Sequence, residues 1–306
     1  MKKAISNVVS IRDFDRGGIL QVLKAAAEMD KKRHARLLQS YVLGIMFVEP
    51  STRTRLSFAS AMMRLGGQVL DFGEPERSSF KKGETLTDAI RMVAGYCDVI
   101  VMRHSWEGAA RLAAEIAGVP IINGGDGANQ HPTQTFLDLY TIQQTHGRID
   151  GLSVGFLGDL RYSRTVHSLA GALSHFDCRQ YFISPEMLRA PHHLMVELNE
   201  RKVEHKEFRD PSAILPELDV LYCTRIQEER FADRLEFEQV KNSYRVDRAM
   251  LEGSGVKKSL RIMHPLPRVD ELARDVDDTP YAVYFQQARN GIPVRQALLA
   301  MVLGKV

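Results

Sequence analysis

Short apolar runs alternate along most of the chain with segments whose apolar residues recur at three- and four-residue steps. Near-continuous apolar runs predict strands buried on both faces, and the three-to-four-residue spacing predicts amphipathic helices. Their alternation predicts parallel sheets covered by helices on both faces. The runs predicted as strands are residues 42–48, 68–72, 98–102, 119–122, 152–157, 179–183, 219–223 and 260–263.

The length of the chain and its turn-forming segments predict two domains. At 306 residues the chain approaches the size at which a single core stops growing. A polar turn with glycines at residues 146–151 follows a predicted helix and precedes a strand, which suits a domain boundary. Residues 73–83 and about 225–244 are predicted as long loops, and residues 280–303 as a helix interrupted at 291–293.

Composition and charge argue against several classes of protein. The net charge of +3 is too small to indicate a nucleic-acid partner or an acidic membrane surface. No apolar run reaches the roughly 20 residues that a membrane-spanning helix needs. The three cysteines lie far apart, which favours free thiols in a reducing cytoplasm. No Walker loop, metal triad or Ser/His/Asp order stands out, so we expect no metal and no cofactor.

One stretch concentrates hydroxyl and guanidinium groups at a predicted helix start. It reads EPSTRTRLSF at residues 49–58. Ser51 or Thr52 suits the N-cap of this helix. Arg53 and Arg55 fall in its first turn, where the helix dipole disfavours cations. A phosphate held between the two arginines and the backbone N–H groups would satisfy all of these donors.

An ordinary capped helix is the alternative explanation of this stretch. One arginine would then pair with Glu49 and the other would lie in solvent. The concentration of hydroxyls and guanidinium groups directly after a buried strand favours the phosphate site.

Two further segments place polar side chains where predicted strands end or helices begin. Arg103 ends an apolar strand, a costly position unless the guanidinium faces a cleft or a partner. His131 and Gln134 are three residues apart at a helix start for which Pro132 is well suited. Both side chains can therefore meet one ligand, and the alternative is a histidine that caps the helix beside a solvated glutamine.

Three more segments follow later strands. Arg164 lies near a helix start after the strand at 152–157; the strand–glycine–helix layout raises a dinucleotide site, but the chain lacks GxGxxG there. Arg225 and Gln227 project to the same side of extended chain, which suits a carboxylate. Residues 264–267 read HPLP, in which the prolines leave carbonyl groups able to accept from an amine; a plain rigid connection is the alternative.

Together and in this order, these segments resemble the aspartate carbamoyltransferases over nearly the whole chain. The ornithine carbamoyltransferases share STRTR and HPTQ but typically carry a lysine where Glu49 stands, and HCLP where this chain reads HPLP. The resemblance implies an α/β fold of two domains, each with a central parallel sheet flanked by helices. Residues 1–133, completed by a C-terminal helix at about 290–306, would bind carbamoyl phosphate, and residues 134–289 would bind aspartate.

The resemblance also implies a reaction. The carbamoyl group of carbamoyl phosphate passes to the amino group of L-aspartate, giving N-carbamoyl-L-aspartate and phosphate in de novo pyrimidine biosynthesis. The implied catalytic residues are Arg53, Thr54, Lys82, Arg103 and His131. The implied ligands of carbamoyl phosphate are Ser51, Thr52, Arg53, Thr54, Arg103, His131, Gln134, Leu266 and Pro267. The implied ligands of aspartate are Lys82, Arg164, Arg225 and Gln227.

The segment RSSFKKGETL at residues 77–86 resembles the family's loop that reaches into a neighbouring subunit's site. Ser79 and Lys82 match its two donors. The resemblance therefore implies a homotrimer with shared active sites. Regulatory chains or other pyrimidine-synthesis enzymes are further partners that the sequence leaves open.

Three other functions are alternatives to this one. The same chemistry on another amine, such as ornithine, is the first. A non-catalytic paralogue that binds anions is the second, and it should have lost at least one of four residues that this chain retains: Arg53, Arg103, His131 and Lys82. A dinucleotide-binding oxidoreductase is the third, and the absent glycine fingerprint argues against it.

Overall fold

The computed structural model describes residues 5–73, 83–231, 233–253 and 255–306. Two compact units divide the chain. Unit 1 comprises Met1–Tyr140 together with Asn290–Val306, and unit 2 comprises Thr141–Arg289. The domain limits given above, residues 1–133 with 290–306 and residues 134–289, stay a prediction.

The described residues form nine β-strands and ten α-helices. The strands are β1 Val42–Phe47, β2 Gln68–Asp71, β3 Val99–His104, β4 Ile121–Asp126, β5 Ser153–Leu157, β6 Arg179–Ile183, β7 His205–Phe208, β8 Val220–Cys223 and β9 Arg261–Met263. The helices are α1 Arg16–Lys31, α2 Thr52–Arg64, α3 Leu86–Ala94, α4 Ala109–Ile116, α5 Pro132–His146, α6 Arg164–Leu173, α7 His192–Glu200, α8 Arg234–Val240, α9 Arg248–Gly253 and α10 Tyr284–Val302. None of these helices is long and apolar enough to cross a membrane.

Unit 1 is built on a parallel four-stranded sheet in the order β2-β1-β3-β4. The central strands β1 and β3 are almost wholly buried, whereas the edge strand β2 is mostly exposed. Helices α3 and α4 cover β3 and β4 through small and branched side chains such as Ala89, Ile90 and Ala113. Because parallel strands share one direction, the chain leaves β1, β3 and β4 at the same edge of the sheet.

Unit 2 is built on a parallel five-stranded sheet in the order β7-β6-β5-β8-β9. Its core packs Leu221 of β8 and Ile262 of β9 against Leu218, which lies in the segment between β7 and β8. Strands β5, β8 and β9 lie side by side, so the segments that follow them emerge along one edge. These segments carry the predicted polar residues of unit 2.

The two helix-covered parallel sheets confirm the predicted fold class. Each of the eight predicted strands overlaps an observed one. Strand β7 was missed because it is a short, largely exposed edge strand with polar residues. The predicted loop at about 225–244 is wrong in part, since it contains the seven-residue helix α8. The predicted interruption at residues 291–293 is wrong, because α10 continues through Pro293 within a buried stretch.

Candidate active site

The N-terminus of α2 is open to a ligand. Ser51 is the N-cap, as predicted, but its hydroxyl makes no capping hydrogen bond. The first N–H groups of an α-helix have no acceptor within the helix. Thr54 is buried one turn into the helix, and Arg53 is exposed beside it. These backbone donors, hydroxyls and one guanidinium surround a point at which the helix dipole favours an anion.

The two arginines of this first turn have different surroundings. Arg55 donates from Nε to Asp71 Oδ2 at 2.6 Å, so its charge is balanced within the fold. No carboxylate of the described residues pairs with Arg53, and partial desolvation lowers the pKa of its guanidinium. The ion pair with Asp71 makes Arg55 the weaker candidate for enclosing the predicted anion. Of the two, Arg53 is the cation left for a ligand.

Arg103 is held at the carboxyl end of β3, one residue before the strand ends. Its Nη2 donates to Glu49 Oε1 at 2.5 Å, and its Nη1 donates to the Gly124 carbonyl oxygen at 3.2 Å. A Cβ at Gly124 would lie 3.5 Å from Thr54 Cγ2 and 3.2 Å from the Met102 carbonyl oxygen. The glycine thus eases the close approach of β4 to the backbone of β3 at Met102, next to Arg103. Glu49 pairs with Arg103 and not with an arginine of α2, which corrects the alternative explanation.

His131 and Gln134 flank the start of α5, which begins at Pro132 as predicted. Both side chains are buried. Gln134 Nε2 donates to Asp138 Oδ1 at 2.8 Å, and His131 Nδ1 lies 3.4 Å from Thr133 Oγ1. The alternative of a solvated glutamine is therefore wrong. The hydrogen bond with Asp138, one turn further along α5, fixes the orientation of the Gln134 amide.

In unit 2, a buried carboxylate ties together two of the predicted segments. Asp159 accepts the N–H of Tyr162 at 2.9 Å and the N–H of Gln227 at 3.4 Å. It therefore links the segment after β5 to the segment after β8. Burial raises the pKa of Asp159 to about 6. Sequence analysis missed this residue, although an aspartate directly after a buried strand was a signal that could have found it.

Arg164 and Arg225 belong to these two linked segments. Arg164 is the first residue of α6, and the N-cap Ser163 makes no capping hydrogen bond with its side chain. Arg225 forms an ion pair with Glu229, in which its Nη1 donates to Oε2 at 3.0 Å. This hydrogen bond raises the pKa of Arg225. Arg225 therefore already binds a carboxylate within its own loop, which is the chemistry predicted for it.

The HPLP segment follows β9. Its Leu266–Pro267 peptide is cis. Leu266 has φ of 56°, in the left-handed region that costs a bulky residue about 1–3 kcal/mol. Its N–H donates to Nδ1 of His264 at 2.8 Å. Strain of this kind persists where the surrounding structure fixes the backbone, and it is frequent at binding sites.

Two predicted residues, Ser79 and Lys82, lie outside the described residues.

Within the described part of the chain, no group of three or more His, Cys, Asp or Glu side chains could hold a metal ion.

Each unit thus places arginine side chains and an uncapped helix N-terminus at the carboxyl edge of a parallel sheet. These features define a class of α/β proteins that bind small anions at strand ends. Two family models then cover nearly all of the chain. Residues 6–144 match the carbamoyl-P binding domain of the aspartate/ornithine carbamoyltransferases, and residues 150–302 match their Asp/Orn binding domain. The chain belongs to the aspartate/ornithine carbamoyltransferase family.

Curated relatives are similar over almost their whole length. The chain is 56% identical over 302 residues to the aspartate carbamoyltransferase catalytic subunit of Thermococcus onnurineus strain NA1, covering 97% of both chains. It is 50% identical over 299 residues to the catalytic subunit from Chromobacterium violaceum, covering 98% of both.

Solved structures show the same similarity. The catalytic subunit of M. jannaschii aspartate transcarbamoylase superimposes with a TM-score of 0.90 at 50% identity, covering 98% of both chains. Aspartate transcarbamoylase from Trypanosoma cruzi in complex with carbamoyl phosphate and aspartate superimposes with a TM-score of 0.89 at 38% identity, covering 96% of this chain and 94% of that one.

Proposed function

We propose that the chain is the catalytic subunit of an aspartate carbamoyltransferase. It transfers the carbamoyl group of carbamoyl phosphate to the amino group of L-aspartate, in de novo pyrimidine biosynthesis. The observation that carries this proposal is the open N-terminus of α2, where Arg53 lacks a carboxylate partner among the described residues. The relatives that share this chain's length are catalytic subunits of that enzyme.

Unit 1 binds carbamoyl phosphate. Its phosphate accepts hydrogen bonds at the start of α2, and Arg53 balances its charge. Arg103 contacts both the phosphate and the carbonyl oxygen, His131 donates to the carbonyl oxygen, and Gln134 lies near the carbamoyl amide. The proposed ligands in this unit are Ser51, Thr52, Arg53, Thr54, Arg103, His131 and Gln134.

Unit 2 binds aspartate through its two carboxylates. The proposed ligands are Arg164, Arg225 and Gln227. The intramolecular pair of Arg225 with the exposed Glu229 supports this role, since a substrate carboxylate can take the place of that side chain. The carbonyl oxygens of Leu266 and Pro267 accept hydrogen bonds from the amino groups of the substrates.

The reaction forms one C–N bond and breaks one C–O bond. The uncharged amino group of aspartate attacks the carbamoyl carbon, and negative charge develops on the carbonyl oxygen. Thr54, Arg103 and His131 stabilise that oxygen; the loss of one such donor costs about 3–4 kcal/mol in comparable sites. Phosphate leaves with the bonding electron pair and accepts the amine proton. A protein base is therefore not required.

A neighbouring copy of the chain completes the site. The resemblance assigns Ser79 and Lys82 to a loop that enters the adjacent subunit, so that the active unit is a homotrimer. The exposed apolar side chains of α2 support a subunit contact close to Arg53, since Leu56 and Met63 lie two turns apart on one face of this helix.

Two further expectations, about partners and about cellular location, accompany this proposal. Regulatory chains or other enzymes of pyrimidine synthesis are further candidate partners of the trimer. A cytoplasmic location suits the three cysteines, which are free thiols.

The test is a comparison of acceptor amines. The purified full chain is incubated with carbamoyl phosphate and either L-aspartate or L-ornithine, and the ureido product is measured by colorimetry. We expect turnover with aspartate at least 100-fold above that with ornithine, because a cationic side chain cannot replace a carboxylate beside Arg225. Equal turnover of both, or turnover of neither, would contradict the proposed function.

A further inference from the structure

Residues 265–267, which follow His264 in the HPLP segment, contain a single backbone N–H donor. Pro265 and Pro267 carry no N–H, so Leu266 supplies the only one within residues 265–267. That N–H donates to Nδ1 of His264, two residues earlier, at 2.8 Å. The one backbone donor of residues 265–267 is thus bound to a side chain.

This hydrogen bond determines which nitrogen of His264 carries the proton. Nδ1 accepts from Leu266, so the proton of the neutral ring lies on Nε2. Nε2 is 2.8 Å from Oε1 of Glu271 and donates to it. The ring itself is 1% exposed, so water has almost no access to compete for either nitrogen.

Glu271 is itself fixed. Its two carboxylate oxygens each accept the N–H of Val269 at 3.2 Å. Burial alone would raise the pKa of Glu271, but the hydrogen bond from His264 contributes to a net lowering, so the carboxyl remains an acceptor. The backbone of His264 is held as well, because its N–H donates to Oε1 of Gln287 at 2.8 Å.

The far side of the segment is anchored separately. Arg268 donates from Nη2 to Asp277 Oδ2 at 2.6 Å and from Nη1 to the Tyr284 hydroxyl at 3.1 Å. Leu266 thus keeps its left-handed backbone between two anchors, of which the His264 ring is the one that bonds it directly.

We propose that His264 and Glu271 are positioning residues that hold the backbone at Leu266, so that the Leu266 and Pro267 carbonyl oxygens face the amino groups of the substrates. This inference rests on the proposed function, which assigns those carbonyls to the amino groups. Glu271 orients the ring and fixes its tautomer, and the ring in turn holds Leu266. Neither side chain touches a reacting atom.

Loss of this positioning should lower kcat. As the attacking nitrogen gains positive charge, its N–H groups become stronger donors, so a well-placed carbonyl binds the transition state more tightly than the ground state. Misplacement of that carbonyl therefore lowers kcat more than it raises KM for either substrate. A variant that merely unfolds a fraction of the protein would lower the number of active sites and the denaturation temperature together.

Three variants separate these effects. His264→Phe keeps an aromatic ring but removes both hydrogen bonds. His264→Asn keeps one acceptor within reach of the N–H two residues ahead, the arrangement of an Asx turn, and loses the contact with Glu271. Glu271→Ala keeps the histidine and frees its tautomer. His205→Phe is the matched control, because Nδ1 of that histidine also bonds the backbone two residues away, here the carbonyl oxygen of Val203 at 2.9 Å, but on the edge strand β7.

Steady-state kinetics with carbamoyl phosphate and aspartate are measured at a temperature at which circular dichroism shows each variant folded. We expect His264→Phe to lower kcat by about 30-fold or more with both KM values within about threefold. His264→Asn should recover kcat to within about threefold of the unmodified chain, Glu271→Ala should fall between them, and His205→Phe should match the unmodified chain.

The outcomes distinguish the positioning role of His264 from the proposed function of the chain. If the unmodified chain forms no N-carbamoyl-L-aspartate, the proposed function is wrong. If it turns over and His264→Phe keeps kcat within threefold, or if His264→Asn is as impaired as His264→Phe, the positioning role is wrong and the proposed function stands.

Discussion

Arg53 and Arg55 are two positions apart in the first turn of α2, yet only one of them has a carboxylate partner among the described residues. Asp71 holds Arg55 at the edge strand, whereas Arg53 remains beside the open helix N-terminus. At the scale of single residues, Asp71 therefore distinguishes the two arginines. It lies 16 residues after Arg55 and pairs with it, which leaves Arg53 as the candidate ligand of an anion.

This difference predicts opposite results for two matched substitutions. Arg53→Ala should lower kcat with aspartate by about 100-fold or more, because the leaving phosphate loses the cation that balances its charge. Arg55→Ala should change kcat by less than about threefold, since it removes an exposed ion pair worth at most about 1 kcal/mol. Both variants should unfold near the temperature of the unmodified chain. A folded Arg53→Ala variant with normal turnover would remove the phosphate role.

Asp159 predicts how stability depends on pH. Burial raises the pKa of this carboxyl to about 6, from 3.8 when unburied, so the folded chain holds the proton more tightly than the unfolded chain does. Its contribution to stability is therefore greatest below pH 3.8 and declines as the pH rises towards 6.

Asp159→Asn removes this titration. The unfolding free energy of the unmodified chain minus that of the variant should fall by on the order of 3 kcal/mol between pH 4 and pH 7, and stay level above that. Denaturant titrations at a series of pH values measure the difference. A difference that is constant across this range, or that rises with pH, would show that folding does not raise the pKa of Asp159.

The sequence was sufficient to place individual polar residues but not to identify their hydrogen-bond partners. The patterns located Arg103 at a strand end and Gln227 in a segment after a strand. Their partners Glu49 and Asp159 lie 54 and 68 residues earlier in the chain. Such pairs depend on which strands become neighbours and in what register, and a one-residue change of register would separate them.

At the scale of elements, the strand pattern was readable wherever burial produced an apolar run. It failed for β7, since an edge strand needs no apolar residue on its exposed faces. The helix pattern failed for α10. Glycine and proline ordinarily indicate the end of a helix, and the buried surroundings that keep this helix intact are not visible in the sequence.

Gly291 shows why local propensity misled at α10. A Cβ there would lie 1.9 Å from Nη1 of Arg295, which is buried over the Phe58 ring at 5.1 Å. The glycine therefore makes room for an arginine inside unit 1. Helix propensity favours alanine over glycine by about 1 kcal/mol, whereas the clash would displace a buried side chain.

We therefore expect Gly291→Ala to destabilise unit 1 by about 1–3 kcal/mol, against the propensity scale. Gly171→Ala in α6 is the control, because its Cβ would meet nothing closer than 3.8 Å, and it should be neutral or stabilise by up to about 1 kcal/mol. Thermal unfolding measures both. Equal effects of the two substitutions would show that Arg295 moves aside without cost.

At the scale of the whole molecule, the isolated chain leaves apolar surface uncovered around α2. Leu56 and Met63 are 62% and 59% exposed, and Leu70 on the neighbouring edge strand is 43% exposed. Monomeric proteins seldom expose neighbouring apolar side chains of this size without a partner. The position of this surface, on the helix that begins at Arg53, agrees with a proposed trimer whose subunits share active sites.

The double substitution Leu56→Glu with Met63→Glu should therefore shift the native mass from trimer towards monomer, because it places charge in an apolar contact. Activity should fall with assembly, since the proposed Ser79 and Lys82 donors come from the neighbour. Leu235→Glu on α8 is the control, a leucine 69% exposed in unit 2. An unchanged mass of the double variant would locate the subunit contact elsewhere.

The division of the chain has a consequence for its synthesis. Unit 2 is one continuous segment, whereas unit 1 takes its last helical turns from residues after 289, with Arg295 resting on Phe58. Domains encoded first generally fold first on the ribosome. Here we expect the reverse order, because unit 2 is whole once Arg289 has emerged, while unit 1, with α2 already translated, still lacks residues 290–306.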